Sequence, residues 1–593
     1  MKNLIFIGCS LVIFLNARAQ GLPLLKTYNY KTEVFGNDGV YAHAYEPQSH
    51  RIFIIQRNTN QLLILDISDL TKVRVVKQVS LAQGGAQPND VAVAGNMVAV
   101  VTENNLPQAK GKVMLLDTNG NFQKQLDVGA MPRSVAFGNG GTHLLVANEG
   151  GPSDDYFSDP KGGVSVVAIF GTPPAQLTQT NVVTIDFSRW DTTQHHPDLR
   201  LFNNAGQMPS ADLEPRKIAA LSGSSKAVVT LGTNNGLAFI DFFSGTVDTA
   251  YGLGLKDMGV TNQGFDGGST GAINIRPRSQ IYALYNPTGV AHFKANGEDY
   301  FLTTNEGLPR DYSAFSEIQR FKNAPTSAAA FPNKNTWVED SAIGMLEVST
   351  ELGKARNGFI HDSLVAFGAR SFSVWNDSAQ LIWDSGEEIE QTLATLQAPH
   401  FNSSANSNSS RKAESPKRGP QPNSVTVGSV DGVRYAFVTL KQMGGFLVYN
   451  LNNPNAPVFE QYVLDRNFSV PANDTAAGDL GPEKITFVPA SQSPNGIALL
   501  MVSHAVSGSF SIYQLGQGIG LQERALNPYL SIWPNPSSGL FHTNAHQKLQ
   551  IFNAQGQLVQ EVYQGEPINL TNAPDGFYLV QTQSGESLRI LKK

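Results

Sequence analysis

The sequence predicts an all-β chain: a ring of like sheets that cover one another, followed by a small β-sandwich. Three observations lead there. The stretch VAFGNGGTHLLVANEGGPSDDY, Val135–Tyr156, reads as strand, Gly-rich turn, strand and carboxylate-rich loop. Its second strand, His143–Ala147, is apolar almost throughout and needs cover on both faces, which a lone hairpin does not supply. Similar units recur along the chain, and 55 glycines and 32 prolines against only 16% charged residues fit many turns and few long surface helices.

The chain opens on Lys2, an apolar run Leu4–Leu15 and Ala17-Arg18-Ala19, the pattern of a secretory signal peptide over residues 1–19. No later stretch approaches the roughly 18 apolar residues of a spanning helix, so no transmembrane segment is expected in the mature chain. The single cysteine, Cys9, lies inside the signal segment, which leaves neither disulfides nor thiolate metal ligands after cleavage. Loss of Lys2 and Arg18 takes the net charge from −6 to −8, with 41 basic against 49 acidic residues. That balance disfavours a nucleic-acid partner.

Eight candidate units follow in order, starting at Ala42, Val91, Val135, Ile218, Val290, Leu364, Val425 and Ile485. The first, AHAYEPQSHRIFIIQRNTNQLLILDISD, has three apolar strands in the order that the others repeat. Spacings of roughly 40 to 80 residues suit propeller blades with insertions better than a short-period solenoid. Such a ring covers each sheet with its neighbours and protects most strand edges. The last unit has only three clear strands, and Thr27–Phe35 (TYNYKTEVF) alternates like a strand, so this N-terminal strand is expected to complete the last blade and close the ring. Seven blades are favoured, eight if Leu364–Gly386 is a blade of its own. The β-propeller spans 26–516, a linker 517–528, and alternating strands with Gly and Asn turns make 529–593 a small antiparallel β-sandwich. Asn402–Ser424, rich in Ser, Asn and Pro, is expected as a mobile loop or surface flap.

Loops after second strands carry the candidate chemistry: Glu149, Asp154 and Asp155 in one unit, Glu306, Arg310 and Asp311 in another, and Glu483 near the start of the last. Equivalent loops converge at one face of a ring. Clustered carboxylates there suit a divalent cation, calcium or magnesium, or a metal that activates water for ester cleavage, with Arg310 contacting substrate. The other reading is that Asn148-Glu149-Gly150 and Asn305-Glu306-Gly307 are turn residues whose carboxylates accept backbone N–H bonds. His195-His196 fits a polar loop, and His143 and His292 fit core or edge positions better than ligand positions. The chain has no G-x-S-x-G elbow, Walker loop or H-E-x-x-H motif.

The motifs VANEGGPSDDY, TTNEGLPRDY, GARSFSVW, GGFLVYNLNNPNAP and GDLGPEKITFVPASQSPNG, in this order, resemble the choice-of-anchor I family of secreted bacterial β-propellers over most of Ala42–Leu515. The resemblance implies the fold and no assigned activity. The C-terminal stretches WPNPSSGLF, LQIFNAQGQLV and INLTNAPDGFYLVQTQSG resemble the type IX secretion (type A, Por) sorting domain of Bacteroidetes. In those terms Pro534-Asn535-Pro536 and Gly539 open the domain, Asn553–Gly556 is a hairpin turn, and Gly576 and Tyr578 lead the penultimate strand. The implied partners are the Sec translocase and the type IX machinery, and the implied destination, through periplasm and outer membrane, is the cell surface or the medium. Measured against the family pattern, Gly151 and Leu308 stand where acids are usual. Ser410, Ser415, Gln421 and Asn423, with Arg411, Lys412, Lys417 and Arg418 beside them, replace much of an acidic run, so a carboxylate cage has lost ligands.

Two functions fit the sequence. One is a surface-displayed binding or scaffold propeller for a glycan, a peptide or an envelope protein, which needs only exposed loops on a stiff ring. The other is a metal-assisted phosphoesterase or lactonase using Glu149, Asp155, Glu306 and Glu483.

Overall fold

The computed structural model describes residues 22–32, 34–36, 38–193, 196–202, 208–356, 358–516, 532–543, 548–553, 557–563, 566–582 and 587–593. The signal segment, His195 and Gly556 lie outside them. The chain divides into two compact units, 1–518 and 519–593.

Among the described residues of the first unit are seven four-stranded antiparallel sheets. The first is Ala42–Glu46, Arg51–Gln56, Gln61–Asp66 and Arg74–Ser80; the second and third run from Pro88 to Ala130 and from Pro132 to Asp186. The fourth runs from Pro215 to Gly252 and the sixth from Pro422 to Val463. In the seventh, Pro482–Val488, Ala498–His504 and Ser509–Leu515 are joined by Leu24–Lys31, which pairs antiparallel with Ser509–Leu515. The N-terminal strand thus completes the last blade, three residues earlier than the alternation in the sequence placed it. The first strand of each sheet touches the first strand of the next, and that of the seventh touches that of the first, so the sheets close into a β-propeller.

The core lies between sheets. Seven apolar clusters each join two neighbours, for example Ile54, Leu63 and Leu65 of the first sheet with Leu499, Met501 and Ile512 of the seventh. This is why second strands such as His143–Asn148 are apolar on both faces: each face meets a different neighbour. Burying a Leu or Ile side chain contributes about 1.5–3 kcal/mol. Fourth strands form the outer rim, where Arg74–Ser80 is mostly exposed. The N-terminal strand has an added clasp inside the seventh sheet, and the seam with the first sheet a buried hydrogen bond. Buried Asp479 accepts from Lys26 Nζ at 2.7 Å, Asn29 Nδ2 at 2.9 Å, Ser509 Oγ at 2.6 Å and Ser511 Oγ, and His43 Nδ1 meets Ser503 Oγ at 2.7 Å.

Leu364–Gly386 is neither a blade nor an insertion. Leu364–Phe367 joins a separate five-stranded sheet with Leu255–Asp257, Ile281–Leu284, Glu347–Ser349 and Ile318–Arg320, while Phe372–Asn376 and Leu381–Asp384 complete the fifth blade, begun by Gly289–Ala295 and Glu298–Thr304. Pairing of Leu364–Phe367 with Ile281–Leu284 is parallel, which requires the long excursion between them. Asn402–Ser424 is also not the flap its composition suggests. Asn402, Ser403, Lys412, Glu414 and Ser415 are buried. Arg466 donates to Ser404 O, Ser407 O and Asn408 Oδ1, and Lys412 Nζ donates to Thr270 O and Ala272 O, each at 2.8 Å, beside Asp266 at 3.2 Å. Long cations satisfy the loop carbonyls, so a polar segment packs without an apolar core.

In the second unit, Ile532–Trp533, Leu540–Thr543 and Ile568–Asn569 form one sheet, and Leu549–Phe552, Leu558–Val562, Gly576–Thr582 and Ser587–Lys592 another. Their apolar sides, Phe541, Ile551, Val580 and Ile590 among them, share one core. Asn535 ties the opening turn to the last strand, donating to Arg589 O at 3.1 Å and accepting from Leu591 N at 2.8 Å. Gly539 has φ +126°, and a Cβ there would lie 2.7 Å from Thr571 N. Buried Tyr578 donates its hydroxyl to Pro574 O at 2.6 Å.

Candidate functional site

The inner wall of the ring is built from one short pattern. Pro-x-x-Val/Ile opens the second, third, fourth, fifth, sixth and seventh sheets, at Pro88, Pro132, Pro215, Pro287, Pro422 and Pro482. Proline has no N–H to lose and suits the first position of a strand. In five of these sheets the register shifts immediately after the proline. A bulge re-aims the side chains beside it. The two residues between proline and Val/Ile are thereby turned toward the channel, and the cavity there, about 110 Å³, is lined by Asn89 and Asp90, Arg216 and Lys217, and Glu483 and Lys484 among others. Asn89 and Asn423, at the same place in different sheets, each donate to the carbonyl of the proline that opens the next sheet, at 2.8 Å to Pro132 and 2.7 Å to Pro482.

Residues that follow second strands join it or stand next to it: Glu306 and Lys441 line the same cavity, while Glu103 and Glu149 lie behind it, bound to its Arg133. They pair across sheets. Glu149 binds Arg133 and, at 2.7 Å, Arg216; Glu103 binds Arg133 and accepts from Asn89 at 2.7 Å. Burial raises the Glu149 carboxyl, but Arg133 and Arg216 outweigh it and hold the group below its ordinary range. Lys441 Nζ stands 3.2 Å from Glu306 and 3.0 Å from Glu483. Burial opposes the Lys441 charge, and the two acids more than restore it. Asp90 is enclosed, with Lys484 at 2.6 Å, Lys217 at 3.0 Å, Ser134 Oγ at 3.1 Å and Val135 N at 3.2 Å. Burial pushes its pKa up, and the two lysines drive it well below the carboxylate range. A wider cavity of about 550 Å³ shares Tyr41, Arg216, Lys441 and Glu483 with the channel and is walled on one side by Ser404–Asn406 and Lys417-Arg418.

The residues singled out in the sequence separate into three places. Glu306 and Glu483 do meet at a point, but that point is the ammonium of Lys441, and Glu149 is held by two arginines. Asp154 and Asp155 are exposed turn residues. Asp154 accepts from Ser313 N at 3.0 Å, and its carbonyl accepts from Ser313 Oγ at 2.9 Å and Ala314 N at 3.1 Å. Asp155 accepts from Ser153 Oγ at 2.6 Å and Phe157 N at 3.1 Å. Asp311 makes a backbone bridge to Ser316. With Tyr156 set edge-on to Tyr312, centroids 5.2 Å apart, these contacts latch the loop of the third sheet to that of the fifth.

Arg310 lies under the latch, 2% exposed, bound to Asp212 Oδ1, donating to Asp212 O at 2.9 Å and 3.5 Å from Glu214. It is enclosed and does not line the channel cavities, so it presents no guanidinium to a substrate there. Burial raises Glu214 to about 7 against the pull of Arg310, and raises Asp159 to about 6. Among the described residues no three His, Cys, Asp or Glu side chains come together as a metal site. His143 packs in the core against Phe170 and Phe242. The channel cations Arg133, Arg216, Lys217, Lys441 and Lys484 went unread in the sequence; the recurring Pro-x-x-Val/Ile was the available signal.

Fold and site define a secreted-type β-propeller with a charged, self-neutralised channel and a separate strand-rich tail unit. Residues 41–454 match the choice-of-anchor I domain, and the chain belongs to that family. Residues 531–593 match the secretion system C-terminal sorting domain. This type IX tail directs export to the cell surface or the extracellular space. Among the described residues no helix is long and apolar enough to cross a membrane. The chain is 29% identical over 214 residues to gigasin-3a of Magallana gigas, covering 34% of this chain and 75% of that protein. It is 23% identical over 216 residues to a mesenchyme-specific cell surface glycoprotein of Strongylocentrotus purpuratus, covering 31% of this chain and 28% of that one. Similar solved structures include Kuenenia stuttgartiensis hydrazine synthase, at 12% identity, TM-score 0.41, 82% of this chain and 96% of that one. Virginiamycin B lyase from Staphylococcus aureus is another, at 10% identity, TM-score 0.40, 83% of this chain and 99% of that one.

Proposed function

We propose that the protein is a surface-delivered binding propeller whose ligand seats in the mouth of the channel. The observation that carries this reading is the wide cavity of about 550 Å³ that shares Tyr41, Arg216, Lys441 and Glu483 with the channel and is walled by residues of the packed Ser404–Arg418 segment. That volume falls within the roughly 300–1,000 Å³ of small-ligand sites. Rigid walls favour binding because little side-chain freedom is lost on association. A hydrolase is less well supported: Glu149, Glu306 and Glu483 already neutralise arginine and lysine side chains, so a cation would have to displace charges that the fold has paired.

The test is calorimetry of the mature chain against glycans, peptides and envelope proteins, with Tyr41→Ala, at the shared neck of the two cavities, as the control variant. Saturable binding that Tyr41→Ala weakens about tenfold supports the reading. Binding that Tyr41→Ala leaves untouched, or metal-dependent phosphoester or lactone turnover abolished by Glu306→Gln, overturns it.

A further inference from the structure

Most ion pairs around the channel share an asymmetry: the base is more exposed than the acid it pairs with. Arg216 is 34% exposed and its partner Glu149 9%. Lys217 is 32% exposed against 2% for Asp90, and Arg418 22% against 8% for Glu347. Lys441 follows the same order with both its acids. Glu149 and Glu347 line neither cavity, whereas their arginines do. At the rim one pair, Arg57 with Asp38, is reversed. The chain as a whole is acidic, yet cations outnumber acids around the mouth: Arg57, Arg216, Lys417, Arg418 and Lys441 line it against Asp38, Glu414 and Glu483. Low-dielectric walls strengthen that field over what the same charges would give in open water.

We propose that the channel mouth binds an acidic saccharide, of the oligouronate class, through its carboxylates. This rests on the binding reading above and adds the ligand's chemistry. Arg216 gives Nη1 to Glu149 at 2.7 Å and borders both cavities, so the remainder of its guanidinium is placed to take a second carboxylate. Arg418, which lines the same wide cavity, gives Nη1 to Glu347 at 3.2 Å and is the second anchor. The same lining adds Tyr41, Ser404, Asn406 and Gln442, whose hydroxyl and amide groups suit sugar hydroxyls. The apolar side chains of this wall are Ala405, Ala505 and Val506, too few and too small for the hydrophobic anchors that peptide recognition uses.

The test is titration of the mature chain with trigalacturonate, a neutral galactose trisaccharide and hexaglutamate, at two salt concentrations. Trigalacturonate is expected to bind, more weakly at the higher salt, with affinity reduced about tenfold by Arg216→Gln and by Arg418→Gln while the thermal midpoint holds. Should Arg216→Gln misfold, Arg418→Gln and the half-exposed Lys417→Gln carry the test. Equal binding of the neutral trisaccharide overturns the anionic assignment and leaves the mouth as a binding site. Hexaglutamate binding in place of trigalacturonate overturns the saccharide assignment. No binding of any of the three to folded protein overturns this proposal, and the site reading itself fails only if the Tyr41→Ala comparison across the wider panel fails too.

Discussion

Asp90→Asn tests the physical basis of the channel. Asp90 is fully enclosed and faces two lysines from other sheets, Lys484 at 2.6 Å and Lys217 at 3.0 Å, so it staples the second sheet to the fourth and the seventh. Asparagine keeps the shape, removes the charge and turns an NH₂ toward groups that are themselves donors. Each charge-assisted hydrogen bond contributes about 1.5–3 kcal/mol, and breaking a buried pair costs about 3–5 kcal/mol. Both lysine tips reach the lumen, at 32% and 18% exposure, and can recover part of their hydration. The expected loss is therefore about 3 kcal/mol. The assay is urea denaturation of the mature chain at pH 7, followed by the propeller tryptophans. Lys217→Met combined with Asp90→Asn should recover part of the loss, because one unpaired ammonium is then gone. A single variant within about 0.5 kcal/mol of the parent would refute the idea that this carboxylate binds the ring together.

Two further outcomes follow from other parts of the ring. Glu214 has its folded pKa raised to about 7 from the ordinary 4.5, so between those values the folded chain holds a proton that the unfolded chain has lost. Its contribution is complete below pH 4.5 and declines as pH rises to 7, by about 3 kcal/mol at most; thermal midpoints measured from pH 5 to 8 should fall in the parent and flatten in Glu214→Gln, and equal slopes would refute the assignment. Gly428→Ala would place a Cβ 2.2 Å from Cγ of Phe487, an atom that ring rotation does not move away, so a loss of about 1–3 kcal/mol is expected in the same urea assay, and an unchanged midpoint would show that the sixth and seventh sheets pack less closely than this.

The ring was legible because its physical requirement is written in the second strands. Runs such as Arg51–Gln56 and His143–Asn148 have no polar face to give to water, and only a neighbour on each side satisfies them. The N-terminal strand was legible for a related reason: Thr27–Phe35 alternates, as an edge strand with one covered face does. Where the reading went astray, the local pattern was sound and the partner was far away. Leu364–Phe367 and Phe372–Asn376 look like consecutive strands of one sheet, yet the first pairs with Ile281–Leu284 and the second with Glu298–Thr304. Only four residues separate two sheets there, and nothing in so short a stretch announces the change. Asn402–Ser424 misled in another way. Its composition lacks an apolar core, but the groups that hold it, Arg466, Asp266 and the carbonyls of Thr270 and Ala272, come from elsewhere in the chain.

The site was half legible for a reason that bears on what such rings can bind. Acids in Asn-Glu-Gly turns are conspicuous in a sequence; Glu306 lines the channel cavity, and Glu149 stands behind it, bound to Arg133 and Arg216. Their partners are not conspicuous, because Arg133, Arg216 and Lys441 are single residues spread over three sheets, one behind each of two prolines and one after a second strand. Read without those cations, the acids suggest a metal cage. Read with them, they are counter-ions that let cations stand at a partly dry wall: without Glu149, the desolvation of Arg133 and Arg216 would be uncompensated. Buried acids of this kind set the sign of the surface opposite to their own, which is how a chain with more acidic than basic residues comes to present a cationic mouth.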